Sequence, residues 1–306
     1  NISHNFVYKQ IMKIPLSKAT GLDGISMKVL KPAAHIVAPI IADLCNMSIS
    51  TGVFPSSWKQ ARVVPIYKGG DANIVGNYRP VSVLLIFSKV IERHVYNHLY
   101  SYLTKYKLLL DQQSGFRKYH SCQTIMIKMT DYFLEQMDNG KLVGAVMIDL
   151  RKAFDLVPHD VLIQKLDIYG CSENTLSWFK SYLSNRAQLV SYDGHLSDME
   201  TISSGVPQGS ILGPLFFIIF MNDIVFETGN SNFEMYADDS TLYEAASCPQ
   251  TLGITLSQSC KPLSKWVRNN KMVLNTEKTE TILIGTSRRR DPVAQNYSVV
   301  AMEFLL

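Results

Sequence analysis

Apolar residues recur at near-helical spacing from Ile36 to Met47, with Gly52 and Pro55 ending the segment, and Ala61 to Tyr67 then reads as a strand stopped by Gly69-Gly70. A turn-rich stretch runs to Pro80. From Ser82 to Leu103 the pattern is long and amphipathic, which predicts a helix: Val90, Ile91, Val95, Leu99 and Leu103 lie on one side, and Lys89, Glu92 and Arg93 on the other. Ile125 to Met137 predicts another helix, closed by Asn139-Gly140, and Leu142 to Leu150 is a run of mostly β-prone apolar residues that ends in a carboxylate. Asp160–Ile168 and Asn174–Leu183 read as helices. Gln188–Tyr192 and Glu200–Ser203 read as strands around the Asp193-Gly194 turn, and Ile211–Asn222 as a buried helix behind a Gly/Pro loop. This irregular mixture, with no repeat at a fixed period, excludes a solenoid, a coiled coil and an all-β sandwich.

Composition adds limits rather than identity. A chain of 306 residues with 46% hydrophobic and 10% aromatic content can bury a substantial core. Its formal net charge of +4 permits a polyanionic partner without demanding one. The five cysteines, Cys45, Cys122, Cys171, Cys248 and Cys260, are odd in number and never spaced Cys-x-x-Cys, which argues against a disulfide framework or a cysteine zinc site and predicts an intracellular, reducing setting. The longest apolar stretch, Leu215 to Met221, falls short of the roughly 20 residues of a bilayer-spanning helix, so no membrane partner is expected. The chain opens on Asn1 with no signal-peptide pattern and is expected to be a piece of a longer product. Residues 287–306 read as a divergent tail in which Arg288-Arg289-Arg290 is either a solvated run or a phosphate-binding or nuclear-targeting patch.

The candidate chemistry lies in carboxylates. Val143 to Ile148 is an apolar strand that delivers Asp149 at its end, where a charge needs water, a cation or a metal. Phe233 to Tyr243 reads as strand, two-residue turn and strand, with Asp238-Asp239 at the bend. Adjacent carboxylates repel, so a turn that holds them together is stabilised by a divalent cation. Each feature alone is more often a solvated strand end or a polar turn; together, and with the rare string Tyr236-Ala237-Asp238-Asp239, they point to metal-dependent phosphoryl transfer. By contrast His94 and His98, four apart on a helix, have no evident third ligand. No Walker, dinucleotide-binding or Gly-x-Ser-x-Gly pattern occurs.

These residues resemble the palm motifs of reverse transcriptases, specifically those of non-LTR (LINE-like) retrotransposons. Asp149-Leu150-Arg151-Lys152-Ala153-Phe154-Asp155 resembles the first palm motif, Ser204-Gly205-Val206-Pro207-Gln208-Gly209-Ser210 the second and Tyr236-Ala237-Asp238-Asp239 the third, in the family's order and spacing. Ala19-Thr20-Gly21-Leu22-Asp23-Gly24, Val64-Pro65-Ile66-Tyr67-Lys68, Asn77-Tyr78-Arg79-Pro80, Gln113-Ser114-Gly115-Phe116-Arg117 and Asn275-Thr276-Glu277-Lys278-Thr279 resemble segments of the non-LTR group.

The resemblance implies an α/β (α+β) right-hand polymerase fold, with fingers, an antiparallel palm sheet and the thumb largely missing. Residues 1–48 would be the lead-in of the fingers, 49–286 fingers and palm, and 287–306 the tail. It further implies an RNA-directed DNA polymerase that extends a DNA primer on an RNA template with deoxynucleoside triphosphates, in the cytoplasm and nucleus for an active element. Asp149, Asp238 and Asp239 would hold two Mg²⁺ ions, with Mn²⁺ as an alternative, and the Leu150 carbonyl would be a further ligand. Phe154 would stand beneath the nucleotide sugar and exclude a 2′-hydroxyl. Gln208 and Gly209 would touch the nucleotide from a flexible loop, Lys68 and Arg79 would reach the triphosphate, and Lys278 would protonate departing pyrophosphate. Two rival readings stand beside this one: a truncated, inactive retrotransposon remnant that at most binds RNA, and a group II intron-type maturase, which the lead-in and finger segments disfavour.

Overall fold

Where the apolar periodicity is strong, the computed structural model, which describes residues 1–229 and 231–286, forms the expected elements. In chain order these are α1 (His4–Lys13), α2 (Met27–Leu30), α3 (Ala34–Thr51), β1 (Gln60–Tyr67), β2 (Tyr78–Leu84), α4 (Ile86–Lys105), α5 (Cys122–Asp138), β3 (Leu142–Ile148), α6 (Ala153–Leu156), α7 (His159–Ile168) and α8 (Glu173–Leu183). There follow β4 (Arg186–Tyr192), β5 (His195–Leu196), β6 (Glu200–Ile202), α9 (Gly213–Met221), α10 (Ile224–Thr228), β7 (Asn232–Tyr236), β8 (Asp239–Ala246), α11 (Pro249–Asn269) and β9 (Glu280–Ile284). The 287–306 tail and its three arginines lie outside the described residues.

The described chain divides into two units. The first comprises Asn1–Tyr106 and Pro158–Phe216. Its sheet centres on β1, which pairs antiparallel with β2 from Ala61↔Leu84 to Tyr67↔Tyr78 and parallel with β4 on its other side. This pairing corrects the helix expected from Ser82: residues 82–84 complete β2, and Leu85, extended at φ −59° and ψ 146°, delays the helix to Ile86. An aromatic cluster fills the core, with Phe54 edge-on to Trp58, Trp178 and Tyr182. The Trp178 indole N–H is not left bare, since it donates to Ser48 Oγ at 3.0 Å, and Ser48 Oγ itself donates to the Val53 carbonyl just past the Gly52 C-cap. Among the described residues α3, not the Leu215–Met221 stretch, is the helix long and apolar enough to cross a membrane by length and composition, and 33% of it is buried in the fold.

The second unit comprises Lys107–Val157 and the described residues from Phe217 onward. Its four-stranded antiparallel sheet runs β7-β8-β3-β9. Helix α5 covers one face, where Tyr132 and Phe133 pack on Tyr243 of β8. Helix α11 covers the other: Leu252 and Leu256 close over Gly144, where a Cβ would lie 2.5 Å from Leu256 Cδ1. Glu234 of β7 is 4% exposed and paired with Lys128 of α5; burial pushes its carboxyl above the usual range, and the lysine opposes that rise. Buried apolar residues on both faces of β3 make it a central strand, which places whatever follows Ile148 at the middle of the sheet's edge.

Candidate active site

Strand pairing decides where the aspartates go. The β3–β8 ladder ends on the rung Ile148↔Ser240, and one step further the same register sets Asp149 opposite Asp239. Directly opposed residues of an antiparallel pair share a face, with Cβ atoms roughly 4.5–5.5 Å apart. The apolar strand thus ends in two opposed like charges. Asp238 is half-buried in the two-residue turn between Tyr236 and Asp239, which are the last paired residues of β7 and β8. Ala237, the first turn residue, has φ +61°, a conformation that a primed hairpin turn requires and that favours glycine.

Asp149 is further held from the segment that precedes β9. Asn275 Nδ2 donates to Asp149 Oδ2 at 2.6 Å and the Asn275 backbone N–H donates to the Asp149 carbonyl at 2.9 Å. Leu150 forms a bridge with Leu274, and Arg151 N–H donates to the Val273 carbonyl at 2.8 Å, so the chain after β3 remains zipped to this segment. Lys278 is exposed three residues beyond, its backbone N–H donating to the Asn275 carbonyl at 3.2 Å. The quoted motif therefore carries two polar residues in contact with the first aspartate, Asn275 and Thr279, whose Oγ1 accepts from the Asp149 N–H at 3.4 Å, and sequence reasoning passed over both in favour of the lysine.

Among the described residues no three His, Cys, Asp or Glu side chains gather into a metal-holding cluster. The sheet supplies instead an opposed carboxylate pair with a third aspartate in the adjoining turn. That donor set fits Mg²⁺, which takes one or two carboxylates and fills its shell with phosphate oxygens and water.

Phe154 sits in the short helix α6, entered through Lys152 at φ +44°. Its ring stacks on the fully buried Phe217 (centroids 4.1 Å apart, planes at 13°) and meets Phe116 edge-on at 6.0 Å. The residue as a whole is half-buried.

In the first unit Lys68 and Arg79 belong to one hairpin. Arg79 pairs with Ile66, and Lys68 N–H donates to the Asn77 carbonyl at 2.8 Å, extending the ladder by a rung. Lys68 follows Ile66 by two residues, so both cations lie on the same face, and both are exposed. The 205–213 loop is tied down rather than flexible, which corrects the sequence expectation. Ser82 N–H donates to the Gln208 carbonyl at 2.7 Å, Ser210 Oγ donates to the Pro207 carbonyl at 2.9 Å, and Gly213 N–H donates to Ser210 Oγ at 2.8 Å.

The strongest tie is Glu92. Read from the sequence as part of the polar side of its helix, it is 0% exposed: Oε1 accepts from Ser88 Oγ at 2.6 Å and Oε2 accepts from the Ile211 N–H at 2.6 Å, just ahead of α9. A carboxylate there complements the positive end of the helix and satisfies the backbone N–H of Ile211, two residues ahead of its first turn. Glu92→Ala removes the acceptor of three donors, Ser88 Oγ, the Ile211 N–H and, at 3.5 Å, the Leu212 N–H, and each donor left stranded costs about 1–3 kcal/mol. Urea denaturation is expected to show a loss near 3 kcal/mol, with Glu92→Gln, which keeps an acceptor, losing less than half as much.

Comparison with known proteins places these sites in a family. Residues 66–304 match the family model described as reverse transcriptase (RNA-dependent DNA polymerase). The chain is 30% identical over 287 residues to the probable RNA-directed DNA polymerase from transposon BS of Drosophila melanogaster, covering 89% of this chain and 31% of that protein. It is 29% identical to the RNA-directed DNA polymerase from mobile element jockey of the same organism, over 89% of this chain and 30% of that one. The chain thus spans about a third of the length of these curated relatives. Among solved structures, apo telomerase from Candida tropicalis truncated from the C-terminal domain shares the fold, with a TM-score of 0.51 at 13% identity, over 82% of this chain and 56% of that one. The chain, with its right-hand polymerase fold and its carboxylates at the ends of β3 and β7–β8, belongs to the reverse transcriptase family and, within it, to the LINE-like domains of non-LTR retrotransposons.

Proposed function

We propose that this chain is the polymerising portion of an RNA-directed DNA polymerase, which adds deoxynucleotides to a DNA primer on an RNA template. The observation that carries the reading is the β3–β8 register, which ends an apolar strand pair in two opposed carboxylates, Asp149 and Asp239, with Asp238 in the turn beside them. Bound there, Mg²⁺ supplies Lewis-acid stabilisation of the charge that develops on the attacking and leaving oxygens.

The chain's own groups do the rest of the work in this proposal. Asp149, Asp238 and Asp239 would hold the ions, with the Leu150 carbonyl as a further ligand, and Asn275 keeps the Asp149 carboxylate in one orientation. Lys68 and Arg79 donate charge-assisted hydrogen bonds to the triphosphate. Gln208 and Gly209 bring a restrained stretch of backbone to the nucleotide, and Lys278 delivers a proton to departing pyrophosphate.

Phe154 selects the sugar. Stacked on Phe217, its ring cannot swing aside to admit a 2′-hydroxyl. Phe154→Val is expected to cut the preference for deoxynucleotides over ribonucleotides by about 100-fold, the equivalent of a ~3 kcal/mol steric clash removed. The ratio of kcat/KM for matched dNTP and rNTP measures it.

The test of the whole reading is primer extension by the purified chain on an RNA template with Mg²⁺. Product that persists when Asp149 and Asp239 are both changed to Ala sinks it.

A further inference from the structure

A polar side chain buried beside the Asp238–Asp239 turn is not used by any step above. Gln113 is 0% exposed. Its backbone forms a parallel bridge with Met235 at the edge of β7, framed by Met235 N–H to the Gln112 carbonyl at 2.8 Å and Ser114 N–H to the Met235 carbonyl at 2.9 Å. The side chain then reaches along the strand to the turn itself. Oε1 accepts from the Ala237 N–H at 3.0 Å and from the Gly115 N–H at 2.7 Å, while Nε2 donates to the Ala237 carbonyl at 3.3 Å. One amide thus satisfies both backbone groups of the residue with φ +61° that directly precedes the two aspartates.

Two further contacts fix the amide in turn. Arg117 donates from Nη1 to the Leu110 and Gln113 carbonyls at 2.5 and 2.9 Å, bracing the segment from behind. Gly115 lies so close to the turn that a Cβ there would sit 2.2 Å from the Ala237 nitrogen. A non-glycine residue holds a left-handed conformation only when its surroundings over-determine it, and here this side chain and its supports join the Tyr236–Asp239 pairing in doing so.

We propose that Gln113 is a positioning residue for the Asp238–Asp239 turn: it holds Ala237 in its left-handed conformation and so aims the two aspartates. The proposal deepens the polymerase reading and rests on it for the role of the aspartates, but the restraint itself is measurable without catalysis. Hydrogen exchange followed by mass spectrometry on the intact chain is expected to show the peptide across 232–241 exchanging at least ten-fold faster in Gln113→Ala, with the 142–148 strand unchanged. In primer extension the same variant is expected to lose about 30-fold in kcat, the worth of two hydrogen bonds. Ala237→Gly added to Gln113→Ala should recover at least ten-fold, because glycine adopts a positive φ without help. Should Gln113→Ala not fold, Gln113→Met fills the same volume without an amide and takes its place.

Unchanged exchange at 232–241, faster exchange throughout the sheet, or no recovery with Ala237→Gly in a chain that polymerises would each overturn the positioning role. A wild-type chain that extends no primer overturns the polymerase reading alone, and the exchange comparison still decides the claim about Gln113.

Discussion

Asp239→Asn is expected to reduce primer extension by about a thousand-fold or more while leaving the fold as stable as before. The side chain keeps its size and loses its charge, and with it the ion contact proposed for it, which would be worth several kcal/mol in the transition state; each 1.36 kcal/mol is ten-fold in rate. Stability moves in the opposite direction. In the absence of a cation Asp239 faces Asp149 across the β3–β8 ladder, and like charges directly opposed cost roughly 0.2–1 kcal/mol. Removing one should leave Tm unchanged or raise it by about 1–3 °C. Asp149→Asn is the less clean experiment, because it also weakens the charge-assisted bond from Asn275. A single-turnover assay paired with a thermal melt makes the distinction: activity lost together with several degrees of Tm would mark Asp239 as structural, and activity retained would remove it from the site.

The part of the fold that was legible in the sequence is the part encoded locally. Ala61–Tyr67 carries its own β pattern and is strand throughout, as expected. Ser82–Leu84 could not be read that way. Those three residues continue smoothly into the amphipathic pattern of α4, and only their pairing with Ala61–Val63, some twenty residues away, makes them strand. Helix α11 is a different kind of omission. Leu252, Leu256, Leu263, Trp266 and Val267 line a buried side behind Pro249 at its first turn, so the signal existed, but Gly253 and Pro262 break the appearance of a helix. Tertiary burial of that side, including the Trp266 indole donating to Asp223 Oδ1 at 2.9 Å, outweighs the cost of an internal proline.

The candidate site divides along the same line. The aspartates stand out because a charge is unusual at the end of an apolar strand, and Phe154 and the glycine loop stand out only through the family resemblance of the motifs that contain them. The groups that hold them do not. Gln113 meets Ala237 across 124 positions, Asn275 meets Asp149 across 126 and Glu92 meets Ile211 across 119. A glutamate between lysine and arginine on a helix has the look of a solvated face, and no local period distinguishes it from one buried whole. What the chain displays is the chemistry; the supports become visible only once the strands are paired.

Gly209→Ala is expected to be the most destabilising of the conservative changes in the 205–213 loop, at about 3–5 kcal/mol. Two costs add. At φ +114° any residue with a Cβ pays roughly 1–3 kcal/mol in backbone strain. The added carbon would also lie 2.4 Å from the Ser82 carbonyl oxygen, which belongs to backbone and cannot rotate away. Nor can the two segments slide apart freely, because the Ser82 N–H is bound to the Gln208 carbonyl one residue before the glycine. Relieving such an overlap takes a further ~1–3 kcal/mol. A convenient reference is Gly194, at φ +77° in the β4–β5 turn with no atom within 4 Å of its virtual Cβ, where Ala pays the backbone term alone. For a chain of this size a Tm loss on the order of 10 °C is expected at Gly209, against about 3 °C at Gly194. Equal losses in the two variants would mean that the loop is not pressed against β2, and that its glycine is there for the turn and not for the close approach.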